Sequence, residues 1–118
     1  MNILLVNFNN ESLKEISEYL LTLDYSISTA ENDLEAIRIL NSKNVNEVVI
    51  KLTKIMNIGL INYINHHFKH LRPLIITNRY VEEAFSVIKS CECFIMHEPF
   101  TLNDFKSNIV HLDIPKHA

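Results

Sequence analysis

The chain has 118 residues, of which 47% are hydrophobic and 21% charged, and its formal net charge is -3. These values are typical of one compact domain, so we expect residues 1–118 to fold as a single domain. The small negative charge disfavours direct binding of nucleic acid, and no apolar run approaches the roughly 18 residues of a membrane-spanning helix. Because the first residues also lack the pattern of a secretory signal, we expect a cytoplasmic protein.

Gly59 is the single glycine of the sequence. Loops that hold the phosphates of nucleotides need several glycines at their turns. The sequence therefore excludes a dinucleotide-binding loop and a nucleotide-hydrolysing loop.

Apolar runs alternate with stretches of helical periodicity along the whole chain. The runs predict strands at 2–6, 25–29, 48–52, 74–76 and 94–96. Apolar residues that recur at three to four positions predict amphipathic helices at 11–23, 33–40, 59–71, 81–88 and 102–112. In the second of these helices the expected buried face is Leu34, Ile37 and Leu40.

Strands that alternate with helices in this way pair in parallel, and the helices cover both faces of the sheet. The handedness of the connections favours a doubly wound sheet with strand order 2-1-3-4-5. The predicted fold class is therefore α/β, a five-stranded parallel sheet with five helices. Lys51 ends the central strand, at the edge where such sheets keep their binding sites.

Several short motifs, in order and at consistent spacing, are similar to the receiver domain of bacterial two-component response regulators, the CheY-like family. Gly59 lies eight residues beyond Lys51, as a glycine follows the phosphoacceptor in that family. The other motifs are Ile3-Leu4-Leu5-Val6, Thr29-Ala30-Glu31-Asn32 with Leu34-Glu35-Ala36, Ile75-Ile76-Thr77, and Glu98-Pro99-Phe100. The resemblance covers nearly the full chain and implies a flavodoxin/CheY-like three-layer sandwich.

The resemblance also implies where the family's reaction site falls. Asn7 and Phe8 stand at the positions of the acidic pair that holds magnesium, Lys51 at the phosphoacceptor aspartate, and Glu98 at the lysine, while Thr77 keeps the switch hydroxyl. Phenylalanine offers no oxygen ligand and a lysine amine forms no acyl phosphate. We therefore expect a pseudo-receiver with no catalytic residue, no metal and no cofactor.

Two further expectations concern the geometry of this site. In the family the bond corresponding to Glu98-Pro99 is cis, and we expect it to be cis here. Lys51 and Glu98 exchange the signs of the family's aspartate and lysine, so we also expect them to form an ion pair supported by the Thr77 hydroxyl.

The resemblance implies a role in contact with other proteins. We expect a partner in a bacterial signalling pathway, or a homodimer, at the face formed by the helix at 81–88, the fifth strand and the last helix. Val87, Ile95 and Val110 are the candidate interface residues, and Ile95 stands at the family's switch aromatic. The alternatives are a small-molecule sensor or enzyme using the crevice around Lys51, Thr77 and Glu98, and a transcriptional regulator that reaches DNA through a partner.

Other side chains permit chemistry but lack a complete set of partners. His66 and His70 are spaced i, i+4 beside His67, which fits either a solvated helix face or an adventitious metal site. Cys91 and Cys93 are two residues apart, poorly placed to bridge each other, and are expected to be half-buried thiols. His97 and the adjacent Glu98 are candidates for an acid–base pair. Lys51 is a candidate for a lysine that forms a Schiff base.

Overall fold

The computed structural model of the protein describes residues 1–52, 58–78 and 92–113, and only the backbone of residues 10 and 110–113. Its strands are β1 (Asn2–Val6), β2 (Ser26–Ala30), β3 (Glu47–Lys51), β4 (Leu74–Thr77) and β5 (Phe94–His97). Its helices are α1 (Asn10–Thr22), α2 (Asp33–Ser42), α3 (Ile58–His67) and α4 (Leu102–Asp113). The helix predicted at 81–88 lies outside the described residues.

The five strands form one parallel sheet in the order β2-β1-β3-β4-β5. This order confirms the predicted doubly wound fold class. The central strand β3 pairs with β1 on one side and with β4 on the other. Four helices are present in the described ranges, where the sequence predicted five over the whole chain.

Successive strand residues enter two separate hydrophobic clusters, because side chains of a strand point alternately to opposite faces of the sheet. One face packs with α2 and α3, and there Leu4, Val6, Val48, Ile50 and Ile75 meet Ala36, Leu40, Leu60 and Ile64. The opposite face packs with α1 and α4, and there Ile3, Leu5, Val49, Leu74 and Ile76 meet Ile16, Leu20, Phe105 and Ile109. The core therefore lies on both sides of the sheet.

Asparagine side chains begin the first two helices. Asn9 Oδ1 accepts the Ser12 N–H at 2.9 Å at the start of α1, and Asn32 Oδ1 accepts the Glu35 N–H at 2.9 Å at the start of α2. Each bond satisfies a backbone donor that has no partner within its helix. Both helices begin at the carboxyl edge of the sheet, because each directly follows a strand of the parallel sheet.

The expected buried face of α2 is wrong at Leu34, which is 67% exposed. Ala36 and Leu40 are the buried residues of this helix. They are four residues apart and therefore share a face, whereas Leu34 precedes Ala36 by two residues and falls on the opposite side. The sequence led us to expect a buried Leu34 because leucine is the larger apolar side chain, whereas the smaller Ala36 is the residue that faces the core.

Helix α3 is shorter than expected and ends at His67, not near Leu71. The chain turns after Phe68, with the Leu71 N–H donating to the Phe68 carbonyl at 2.9 Å, and Leu71 enters the core. This turn, which brings Leu71 into the core, ends the helix before Arg72, the residue whose helical geometry Pro73 disfavours.

None of the helices in the described ranges is long and apolar enough to span a membrane.

Candidate functional site

The carboxyl edge of the sheet collects the site positions taken from the sequence. Asn7 directly follows β1, Lys51 ends β3, Thr77 ends β4 and Glu98 directly follows β5. The strand register aligns Val6 with Ile50, Lys51 with Ile76, and Thr77 with His97. The Glu98 N–H donates to the Thr77 carbonyl at 2.7 Å, which continues the ladder past the strand. The parallel sheet therefore brings these backbone positions to one edge.

Asn7 and Phe8 follow β1 at the carboxyl edge of the sheet. Asn7 has a φ of 67°, in the left-handed region that asparagine tolerates better than most residues, and its N–H donates to the Ala30 carbonyl at 2.9 Å. Phe8 is half-buried and packs against the α1 and α4 cluster. With Asn9 and Glu31 these residues line an open hollow of about 390 Å³, in which Glu31 is the one carboxylate.

Lys51 and Thr77 lie at neighbouring strand ends without a shared polar contact. Lys51 is half-buried and makes no hydrogen bond or ion pair with the described residues. Thr77 is fully buried, and its hydroxyl donates to the Asn78 carbonyl at the long distance of 3.5 Å. The hydroxyl that the family uses is thus present but is not exposed to solvent.

The expected Lys51–Glu98 ion pair is wrong. The salt bridge found within the described ranges joins Arg72 to Glu92 at 3.9 Å, and Glu98 Oε1 is buried with no hydrogen-bond partner there. Strand β4 separates β3 from β5, so the two side chains must reach across roughly 10 Å, two strand spacings. The expectation of a cis Glu98-Pro99 bond is confirmed.

Glu98 lines a separate cavity of about 220 Å³ between α1 and the segment after β5. Its other lining residues are Ser12, Glu15, Ile16, Pro99, Phe100 and Leu102. Ser12 and Glu15 cannot be identified as site residues from the sequence, because both are ordinary polar positions of an amphipathic helix. Only the packing of α1 against a distant segment brings them to Glu98.

The donor set at the sheet edge does not fit the magnesium ion that receiver chemistry uses. A hard cation of this kind needs oxygen ligands, usually including carboxylates. Phe8 supplies none, and a lysine ammonium at Lys51 repels a cation. No group of three or more His, Cys, Asp or Glu side chains able to hold a metal occurs within the described residues.

His66 and His70 do not lie one helical turn apart, as their i, i+4 spacing would require if both were in α3. His70 lies beyond the end of α3, so helical spacing no longer applies to it. His66 Nδ1 lies 2.9 Å from the Asn62 carbonyl, and the His67 ring packs on Tyr63 with centroids 4.5 Å apart. These contacts are those of an ordinary helix surface.

Cys93 differs from the expected half-buried thiol, because its sulfur is disulfide-bonded. Cys91, the other cysteine of the sequence, lies outside the described residues.

Of the candidate interface residues, the structure describes the surroundings of Ile95. Its side chain is half-buried and packs against the α2 and α3 cluster. Val87 and the side chain of Val110 lie outside the described part of the chain. Ile95 occupies the switch position without the ring that the resembled family has there.

Comparison with known proteins gives a consistent fold. The sequence matches no protein-family model and no curated protein. The chemotaxis response regulator CheY4 of Vibrio cholerae is 14% identical, with a TM-score of 0.80 over 94% of this chain and 97% of that one. The response regulator TrrA of Thermotoga maritima, in complex with Mg²⁺ and beryllofluoride, is 20% identical, with a TM-score of 0.77 over 94% and 97%.

A third structure belongs to a family of redox sensors in the streptococci that evolved from two-component response regulators. It is 13% identical, with a TM-score of 0.82 over 99% of this chain and 55% of that one. All three matches extend over nearly the whole of this chain. The chain therefore has the fold of CheY-like receiver domains of response regulators.

Proposed function

We propose that this chain is a receiver-like signal-transduction module that acts through protein–protein contact and does not depend on phosphorylation. The main support is the composition of the sheet edge. Phe8 packs toward the core where an acidic ligand is required, and Lys51 stands where the acceptor carboxylate belongs. The module needs no cofactor, has no enzymatic activity and meets a protein partner in a bacterial signalling pathway.

The arrangement of the remaining groups supports the same proposal. Thr77 is fully buried and Glu98 lies against α1, so neither is poised over Lys51 to contact a phosphoryl group. The streptococcal redox sensors supply a precedent, since they are described as having evolved from response regulators toward another signal. A receiver fold that has lost the reaction can still present its outer surfaces to a partner.

The reaction itself can be tested by intact-mass measurement after incubation with acetyl phosphate and Mg²⁺. We expect no gain of a phosphoryl group in the wild-type chain. A stoichiometric, acid-labile phosphoryl group would contradict the proposal. The Lys51→Asp, Phe8→Asp variant, which adds back two carboxylates, shows whether the assay detects weak modification of this fold.

The contact function requires a partner whose binding is indifferent to phosphodonors. Capture from the native cell identifies the partner, and titration calorimetry then measures its affinity with and without acetyl phosphate and Mg²⁺. We expect equal dissociation constants under the two conditions. A change of about tenfold or more, equivalent to 1.4 kcal/mol, would show dependence on phosphate.

We propose the face formed by residues 81–88, β5 and α4 as the contact surface. Val87 and Val110 lie off the main apolar stripes of their predicted helices, and a few such side chains can anchor an interface. The Val87→Glu, Val110→Glu double variant is expected to weaken partner binding or self-association by about tenfold or more. Leu21→Glu, at an exposed leucine of α1, is the matched control. Equal effects of the two substitutions would remove this face from consideration.

The alternative function is a small-molecule sensor or enzyme at the crevice around Lys51, Thr77 and Glu98. Its discriminating measurement is thermal melting against a panel of metabolites. A saturable stabilisation that Lys51→Ala abolishes would favour the alternative. We favour the contact function because Thr77 is buried and Glu98 lines a cavity that Lys51 does not share.

A further inference from the structure

Two segments that pack together on one face of the sheet, residues 36–46 and 58–73, contain no acidic residue. They hold none of the 14 Asp and Glu residues of the chain, but four of its 11 Lys and Arg residues and three of its six histidines. The net charge of the whole chain is -3, so the remaining residues carry a larger negative charge. Positive charge is therefore concentrated around the second half of α2, the end of α3 and the turn after it.

Contacts between side chains join the two segments into one surface. Asn41 Nδ2 donates to the Tyr63 hydroxyl at 3.0 Å, which links α2 to α3. The ring centroid of Tyr63 lies 4.5 Å from that of His67 and 6.1 Å from that of Phe68. The Phe68 ring in turn meets the His70 ring edge to face, with centroids 6.4 Å apart. Polar groups and rings therefore continue from α2, over α3, to the turn.

Two exposed cations adjoin this row of rings. Arg38 lies one helical turn before Asn41 on the same face of α2, and Lys69 directly follows Phe68 in the chain. Neither cation makes a hydrogen bond or an ion pair with any described residue. Because no carboxylate of the described chain occupies them, both are available to negative groups of another molecule.

The groups of this surface suit a ligand that carries carboxylates. A guanidinium donates two parallel N–H bonds to a carboxylate, and an ammonium attracts one as a point charge. The rings between the cations offer an area that an apolar or aromatic side chain can cover. A nucleic acid is also negative, but it extends past the surface and is repelled by the acidic remainder of the chain. The charge distribution therefore favours a short acidic peptide.

We infer that this surface binds an acidic peptide segment of a protein partner. We call it the α2–α3 surface and define it by Arg38, Asn41, Tyr63, His67, Lys69 and His70. Carboxylates of the peptide pair with Arg38 and Lys69, and an aromatic side chain of the peptide covers the rings between them. The α2–α3 surface shares no residue with the face of residues 81–88, β5 and α4, so it is a second contact beyond the function proposed above.

Titration of the full chain with a synthetic peptide that repeats two glutamates and a phenylalanine, followed by amide NMR and calorimetry, tests this surface. We expect saturable binding, with shift changes concentrated at the amides of Arg38, Asn41, His67, Lys69 and His70. The uncharged peptide in which glutamine replaces each glutamate is expected not to bind. Arg38→Glu should raise the dissociation constant by about fivefold or more, because it removes an attraction and adds a repulsion.

Lys14→Glu is the matched control, since Lys14 is an exposed residue of α1 and its substitution changes the net charge by the same amount. It is expected to change the dissociation constant by less than about twofold. The inference is overturned if the acidic peptide does not saturate, if the uncharged peptide binds equally well, or if the shift changes map elsewhere. Equal losses from Arg38→Glu and Lys14→Glu would also overturn it, as they indicate an effect of net charge alone. Tighter binding of an oligothymidylate of the same length would overturn the assignment to a peptide and identify a surface for nucleic acid.

Discussion

Glu47 is a buried carboxylate at the first residue of β3, far from the candidate site at the other end of the strand. The Tyr25 hydroxyl lies 3.1 Å from each of its two carboxylate oxygens, and both residues are buried. A hydrogen bond to a charged acceptor contributes more to stability than one between neutral groups. This contact therefore links the residue before β2 to the first residue of β3, across β1, which lies between the two strands.

Removal of the Tyr25 hydroxyl should destabilise the protein. Tyr25→Phe keeps the ring in the core but leaves the Glu47 carboxylate without this donor, so we expect the free energy of unfolding to fall by about 1–3 kcal/mol. Urea denaturation measures the change. Tyr19→Phe, at a half-buried tyrosine of α1, is the control and should change the free energy of unfolding by less than about 0.5 kcal/mol. Equal effects would show that the Glu47 contact is unimportant.

The backbone positions of the site residues could be predicted more easily than the contacts of their side chains. Asn7, Lys51, Thr77 and Glu98 occupy the sheet edge as expected, because strand order and strand ends determine backbone position. The Lys51–Glu98 contact, expected because these residues exchange the charges of the family's aspartate and lysine, is absent. Charge does not specify direction, and Glu98 instead lies beside residues of α1 that are more than eighty positions earlier in the chain.

At the scale of single elements, α2 shows where an apolar pattern is ambiguous. Ala36 is fully buried and lets the helix approach the sheet closely, whereas Leu34 is mostly exposed. If only large apolar side chains are used to find the buried face of a helix, a face centred on alanine is missed. The caps, in contrast, could be predicted, since asparagine before a helix has a local hydrogen-bonding role.

Substitutions in α2 should reveal this difference. Leu40 is 3% exposed, so Leu40→Ala should lower the free energy of unfolding by about 2–5 kcal/mol through lost contacts and a new cavity. Leu34→Ala should change it by less than about 0.5 kcal/mol. Chemical denaturation of the two variants compares them directly. If Leu34→Ala lowered the free energy of unfolding as much as Leu40→Ala, Leu34 would be buried, as expected from the sequence, and not exposed.

Gly59 offers a stabilising substitution in α3. Among the described residues, a Cβ placed on this residue would meet only Asp33 Oδ2, at 4.0 Å, which is an ordinary contact distance. Alanine restricts the unfolded chain and favours the helix, so Gly59→Ala should raise the free energy of unfolding by about 0.4–1 kcal/mol. Thermal melting with urea denaturation measures it. Destabilisation would mean that the glycine meets a requirement other than space.

For the whole molecule, the alternation of strands and helices was sufficient to predict the sheet and its order. The strands other than the edge strand β2 are mainly apolar and each described helix has one apolar face, so few arrangements bury all of them. The cavity beside α1 could not be predicted in this way, because it depends on packing between elements distant in sequence. Fold follows from patterns along the chain, whereas the site depends on side-chain direction.

The central claim is that this receiver fold no longer responds to phosphate. Amide NMR spectra of the chain, recorded with Mg²⁺ and then with added beryllofluoride, test it most directly. We expect the amides of Asn7, Lys51, Thr77 and Glu98 to keep their positions, because Phe8 and Lys51 replace two carboxylate ligands of the metal and leave no acceptor for the phosphoryl analogue. Saturable shifts at these four amides that require both Mg²⁺ and beryllofluoride would contradict the account.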